Sequence, residues 1–145
     1  MDNLAGGIIT LWDPQKLRIL DAEASRNYLS LVIQSLANKE TYMITNIYGP
    51  QKIEDKLKLL TSLEKLRERY HDMPWILDGD FNMIRSLTEK KCDTRKLGRD
   101  SIAFQNFMYK MALVDTEIVN GTLTWNNKRG GDSQVTPKLV RFIIS

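Results

Sequence analysis

Asp80 and Asn82 close the run Trp75-Ile76-Leu77-Asp78-Gly79-Asp80-Phe81-Asn82, where an apolar strand-like stretch passes into a polar tip. A carboxylate and an amide held two residues apart at a strand exit suit a substrate lying across the rim of a rigid scaffold. Asp80 would orient and deprotonate a water there, and Asn82 would donate its amide N–H to a phosphate oxygen or to the attacking oxygen. The competing explanation is local, because Asp and Asn after a strand favour an Asx-type turn through hydrogen bonds to their own backbone. Tyr48, in Thr45-Asn46-Ile47-Tyr48-Gly49-Pro50, ends another strand-like run just before a Gly-Pro turn. Its phenol could contact a phosphate, or its ring could simply pack and leave the hydroxyl in water. Thr124, in Leu123-Thr124-Trp125-Asn126-Asn127, sets a hydroxyl beside an aromatic ring that would rest against a nucleotide or belong to the core.

Basic side chains flank these positions. Arg85, Lys90, Lys91 and Arg95 follow Asn82, with Lys96 and Arg99 beyond them, and Lys128 and Arg129 follow the Thr-Trp segment. They are candidates for contact with a nucleic-acid backbone, for which affinity would fall steeply with salt. A solvated charged loop is the alternative. The sole histidine, His71, is followed by Asp72 at the end of a helical pattern, where a solvated imidazole interacting with the helix dipole explains it.

The elements that must position these residues are legible in the periodicity. Ile8 to Trp12, Leu17 to Ala22, Tyr28 to Leu36 and Thr41 to Tyr48 read as strands, separated by polar breaks at Ser25-Arg26-Asn27 and Ala37-Asn38-Lys39-Glu40. Short gaps predict antiparallel neighbours, since a parallel return needs a crossover of about a dozen residues or more. Ile53, Leu57, Leu60, Leu63, Leu66 and Tyr70 then recur at helical steps to about His71, and Met73-Pro74 stops them. Trp75 to Leu77 is a short buried strand. Phe104, Phe107, Met108 and Met111 mark a second helix capped by Asp100 or Ser101, and Thr122 to Trp125 and Leu139 to Ile144 are the last strand candidates. Strands, helix, strand, helix, strands make a mixed α/β (α+β) layout with a largely antiparallel sheet covered by helices.

The composition agrees with one soluble domain: 145 residues, 42% hydrophobic and 27% charged. Eight glycines and four prolines exclude a collagenous or low-complexity chain. No apolar run reaches the roughly 18 residues of a membrane span, and the start has neither the basic region nor the cleavage site of a secretory signal, so an intracellular, nuclear or cytoplasmic protein is expected. Cys92 alone cannot form an internal disulfide, and no disulfide-linked partner is expected. A formal charge of +3 is compatible with nucleic acid without requiring it.

Taken in order, Gly6-Gly7-Ile8-Ile9-Thr10-Leu11-Trp12, Asn46 to Pro50, Pro74 to Ile84, Phe104 to Phe107, Leu113-Val114-Asp115, Thr124 to Asn127 and Arg141 to Ser145 resemble the endonuclease/exonuclease/phosphatase superfamily. The pattern is most similar to the endonuclease domain of plant non-LTR (LINE-type) retrotransposons and extends over nearly the whole chain. The resemblance implies a four-layer αββα sandwich, a magnesium cofactor and hydrolysis of a DNA phosphodiester. It casts Asp80 as the water-activating aspartate, Asn82 and Tyr48 as the groups that hold the phosphate, and Thr124 as a contact to the DNA backbone. It also implies features this sequence lacks: an upstream asparagine and a metal-binding glutamate, for which Glu23 and Glu40 lie in the wrong segments, and a closing Ser-Asp-His segment. Val140 stands where an aspartate would fix the catalytic histidine, and Asp78 replaces a common glycine. The expectation is therefore a single partial domain over residues 1–145, truncated at both ends and inactive as given. The alternatives are a non-catalytic nucleic-acid-binding remnant and a phosphatase or sphingomyelinase-like branch of the same superfamily.

Overall fold

The computed structural model describes residues 7–86, 96–116 and 140–145. Its elements run β1 (Leu17–Ala24), β2 (Tyr28–Ser35), β3 (Thr41–Tyr48), α1 (Ile53–Arg69), β4 (Trp75–Asp80), α2 (Arg99–Lys110), β5 (Val114–Asp115) and β6 (Val140–Ile144). They build one six-stranded sheet in the order β1-β2-β3-β4-β6-β5. All neighbouring pairs are antiparallel except β3 and β4, which α1 joins as a crossover. That one parallel pair is the physical consequence of a 17-residue helix standing between the two strands, because the chain has the length to return and start again from the same end.

Both helices cover the same face of the sheet. Leu59, Leu60, Leu63 and Leu66 of α1 and Phe104, Phe107 and Met108 of α2 share one buried cluster with Met43, Ile47, Trp75, Leu77 and Ile143 from the strands. Three cross-helix pairs rise in step, Glu54 with Arg99, Lys56 with Asp100 and Glu64 with Lys110, so the helices run in the same direction. Within this layer Trp75 donates its indole N–H to Thr45 Oγ1 at 2.8 Å, satisfying the one polar atom of the largest core side chain.

No described element covers the other face of the sheet toward the β6 side. β6 pairs Ile76 with Ile144, Asp78 with Phe142 and Asp80 with Val140, so these six residues point away from the helices. Phe142 is 46% exposed there, and Val114, Val140 and Ile144 are exposed beside it. The described residues thus form two layers, one of helices and one of strands, with the mixed and mostly antiparallel sheet the sequence predicts.

Several boundaries differ from expectation. Ile8 to Trp12 is not a strand, since no described strand lies alongside to pair with it; Thr10, whose hydroxyl accepts a hydrogen bond from the Asn46 amide, ties it to the sheet. β4 continues through Asp78 and Gly79 to Asp80, because both β3 and β6 pair with it along that length. Asp100 and Ser101 do not cap α2, which begins one residue earlier at Arg99 behind Gly98. Asp100 instead turns toward α1 and holds Lys56 at 2.8 Å. The candidate strand Thr122 to Trp125 lies outside the described residues.

Candidate functional site

Register brings the first two candidates together. In the parallel pair, Tyr48 is the Cα partner of Asp80, so the last residues of β3 and β4 sit side by side at one rim of the sheet. The backbone beyond them is interlocked: Gly49 N–H donates to Asp80 C=O at 2.6 Å, and the Asn82 amide donates to Gly49 C=O at 2.6 Å. Asn82 has φ of +51°, a left-handed conformation that asparagine tolerates better than most residues, and this turns its side chain back toward Gly49. Its own N–H donates to Asp80 Oδ1 at 2.8 Å. The local Asx-type turn is therefore present, and it also fixes the carboxylate against its neighbour. One oxygen of Asp80 is occupied by the turn and Oδ2 carries the remaining capacity.

Two glycines make this closeness possible. A Cβ on Gly49 would lie 2.2 Å from Phe81 O, and a Cβ on Gly79, whose φ is +127°, would lie 2.1 Å from Ile47 O. Only glycine fits where β3 and β4 approach in this way. Phe81, completely buried against Phe104 with ring centroids 5.4 Å apart, anchors the turn into the helix layer. The rim is thus held from below by the core.

Asp80, Asn82 and Tyr48 are brought together. Arg85 lies three residues beyond Asn82, exposed, with its carbonyl accepting from Gln105 of α2. Thr124, Lys90, Lys91 and Arg95 lie outside the described residues. His71 follows α1, exposed, with Nε2 at 3.0 Å from Asp72. It sits before the start of β4 whereas Asp80 ends that strand, roughly 17 Å further along.

Sequence reasoning missed Asn27. The Asn27 amide donates to Tyr48 C=O, and Tyr48 N–H donates to Asn27 C=O, both at 2.9 Å. The β1–β2 turn, which reads as a mere polar break, therefore clamps the backbone of Tyr48 from the side opposite Asp80. The signal was the asparagine itself, a residue able to bridge two backbones, but only the register of β2 against β3 shows which backbone it meets. Val140 is the Cα partner of Asp80 on β6, so the position next to the carboxylate offers a methyl surface and no hydrogen-bond acceptor.

Among the described residues no three His, Cys, Asp or Glu side chains converge as ligands, so Asp80 alone does not make up a magnesium site, whose remaining positions further carboxylates, waters and phosphate oxygens would fill. What these residues can do is orient: a fixed carboxylate oxygen, an amide with one N–H left over, and a phenol that is 44% exposed at the rim.

Solved structures share this arrangement of strands and helices. The endonuclease domain of TRAS1, a telomere-specific non-LTR retrotransposon, superposes with a TM-score of 0.66 at 13% identity, over 92% of this chain and 57% of that one. An endonuclease/exonuclease/phosphatase family protein from Bacteroides thetaiotaomicron gives 0.61 at 11% identity, over 92% and 53%. The fold is that of the endonuclease/exonuclease/phosphatase proteins. TDP2 from D. rerio, solved with a single-stranded DNA product, gives 0.54 at 12% identity over 90% and 54%. The chain spans about half the length of the solved structures it matches. No family model matches the sequence, and no curated protein does.

Proposed function

We propose that this chain is part of a DNA-directed phosphodiesterase domain of the LINE-type retroelement kind, and that it holds the substrate-gripping side of the site without completing the catalytic set. The observation that carries this reading is the rim where Asp80, Asn82 and Tyr48 meet through Gly49. In this reading Asp80 Oδ2 receives the proton of a water lined up on phosphorus, while Asn82 and Tyr48 donate to the phosphate oxygens on which charge develops. Magnesium would neutralise that charge in a complete domain, with its ligands supplied from outside the residues described.

Val140 supports the non-cutting part of the proposal. An imidazole brought near Asp80 would find no carboxylate at that position to set its tautomer. The retroelement assignment rests on the run of motifs from Gly6 to Ser145 and is favoured by the likeness to the TRAS1 domain.

Relaxation of supercoiled plasmid in Mg²⁺ tests it alongside oligonucleotide binding. The chain is expected to bind DNA and leave the plasmid supercoiled. Nicking that Asp80→Ala abolishes would overturn the non-cutting part, and absence of any DNA binding at low salt would overturn the whole.

A further inference from the structure

A groove of about 570 Å³ opens beside Tyr48, away from Asn82, between the β1–β2 turn, the Gly49-to-Lys52 loop and the first turns of α1. Arg26, Lys52 and Lys58 line it, each from a different one of those segments, with Asp55 as its one acid. Its formal charge is thus +3 against −1. None of the three basic side chains forms an ion pair with a described residue, and all three are exposed.

We infer that this groove is a binding track for the phosphodiester backbone of a single DNA strand, leading it past Tyr48 to Asp80. Three observations argue for a strand. Lys52 and Lys58 stand six residues apart along α1, about 9 Å of axial rise, so they address separate points of a ligand and not one phosphate. Neutral hydrogen-bonding groups, among them Asn27 and Gln51, lie between the charges, the kind of lining that positions a sugar-phosphate chain without reading its bases. Tyr48 belongs both to the groove and to the rim, so a strand lying in the groove reaches Asp80 by way of that residue.

The placement of the lysine at the helix start argues against an ordinary solvated surface. Lys52 is the N-cap of α1 and makes no side-chain cap, and a lysine cannot make one, having only donors. Glu54 and Asp55 in the first turn already offset the positive end of the helix dipole, and the Lys52 ammonium, which forms no ion pair with a described residue, is left to an incoming phosphate.

The inference rests on the DNA reading of the rim but is tested apart from it. Fluorescence anisotropy of a labelled single-stranded oligonucleotide, titrated with the full chain between about 50 and 200 mM KCl, gives affinity and salt slope. The triple variant Arg26→Ala, Lys52→Ala, Lys58→Ala should bind roughly tenfold more weakly, with the slope of log K against log salt flattened by about 2. Removing the same charge elsewhere, with Lys16→Ala, Arg18→Ala and Lys65→Ala, should change affinity less than about twofold. Equal losses from the two triple variants, no loss from the groove variant, or inositol hexakisphosphate bound through the three side chains with no oligonucleotide bound would each overturn the track. Oligonucleotide binding by the native chain that ignores the groove triple would remove the track alone, whereas a native chain that binds no DNA at low salt would remove the reading of the rim as well.

Discussion

Gly49 and Asn27 do more for the candidate site than their size suggests. Gly49 meets the Asp80–Phe81 backbone at a distance no side chain can share, so Gly49→Ala should force β3 and β4 apart at the rim. About 1–3 kcal/mol of stability should be lost in urea unfolding, the usual cost of overpacking, together with DNA affinity. Asn27→Ala removes a single exposed hydrogen bond to Tyr48 C=O and should cost about 1 kcal/mol or less. Its effect should fall on binding, because Tyr48 loses the clamp that orients it; unchanged oligonucleotide affinity would count against that role. Tyr28 offers a pH test at the same scale. Burial, then its 2.7 Å hydrogen bond to Glu23, pushes its hydroxyl up to about 12 from an ordinary value of 10. The folded chain therefore holds a proton that the unfolded chain releases first. The resulting stabilisation is complete below about pH 10 and disappears as pH rises from 10 to about 12. Thermal melts across that range should fall less steeply for Tyr28→Phe than for the native chain.

Among the elements, the two helices are clipped to each other as well as to the sheet. The Lys56–Asp100 pair is mostly shielded from water, with side-chain exposures of 11% and 16%. Burial alone would raise the Asp100 carboxyl, but the Lys56 hydrogen bond and charge, with the Ser101 and Asp100 backbone N–H groups, outweigh it and hold the group below its ordinary value. A lowered carboxylate stabilises the fold above its unfolded value of about 3.8, and that contribution is lost as pH falls below it. Asp100→Asn should therefore cost about 1.5–3 kcal/mol at neutral pH, in keeping with hydrogen bonds to charged groups, and should blunt the acid limb of a stability profile. A profile unchanged by the substitution would mean that α1 and α2 are held by their leucines and phenylalanines alone. This pair bears on the site too, since α2 carries Phe104 against Phe81, directly beneath the Asp80–Asn82 turn.

For the molecule as a whole, the decisive feature among the described residues is that both helices pack on one face of the sheet, while the other face presents exposed apolar side chains on the β6 side. Phe142, Val140, Ile144 and Val114 form an exposed apolar area on the β6 side, a surface of the kind that binds hydrophobic dyes and promotes association. The chain should bind 8-anilinonaphthalene-1-sulfonate while retaining a cooperative unfolding transition. Phe142→Ser should lower that dye fluorescence with little change in melting temperature. Bright fluorescence that Phe142→Ser leaves untouched would place the apolar surface elsewhere. No helix among the described residues is long and apolar enough to cross a membrane, so this face is not part of a helical span.

Periodicity determined much of this by itself. The leucines of α1, the apolar runs of β2 and β3 between polar breaks, and the Gly-Asp-Phe-Asn and Tyr-Gly-Pro runs were readable because they depend on short-range geometry: 3.6 residues per turn, extended β-rich segments, and turn chemistry. They placed Asp80, Asn82 and Tyr48 at strand ends and gave the mixed α/β class. Tertiary structure decided what lies beside what. A linear pattern carries no register, so it could not show that Tyr48 pairs with Asp80, that Val140 flanks the same carboxylate, or that Asn27 reaches Tyr48. Nor could it tell a helix cap from an interhelical clip at Asp100, because both uses ask the same chemistry of a carboxylate and differ only in which neighbour the fold brings near. Arg26, Lys52 and Lys58 are scattered over 33 positions of chain and became one groove only when β2, β3 and α1 converged.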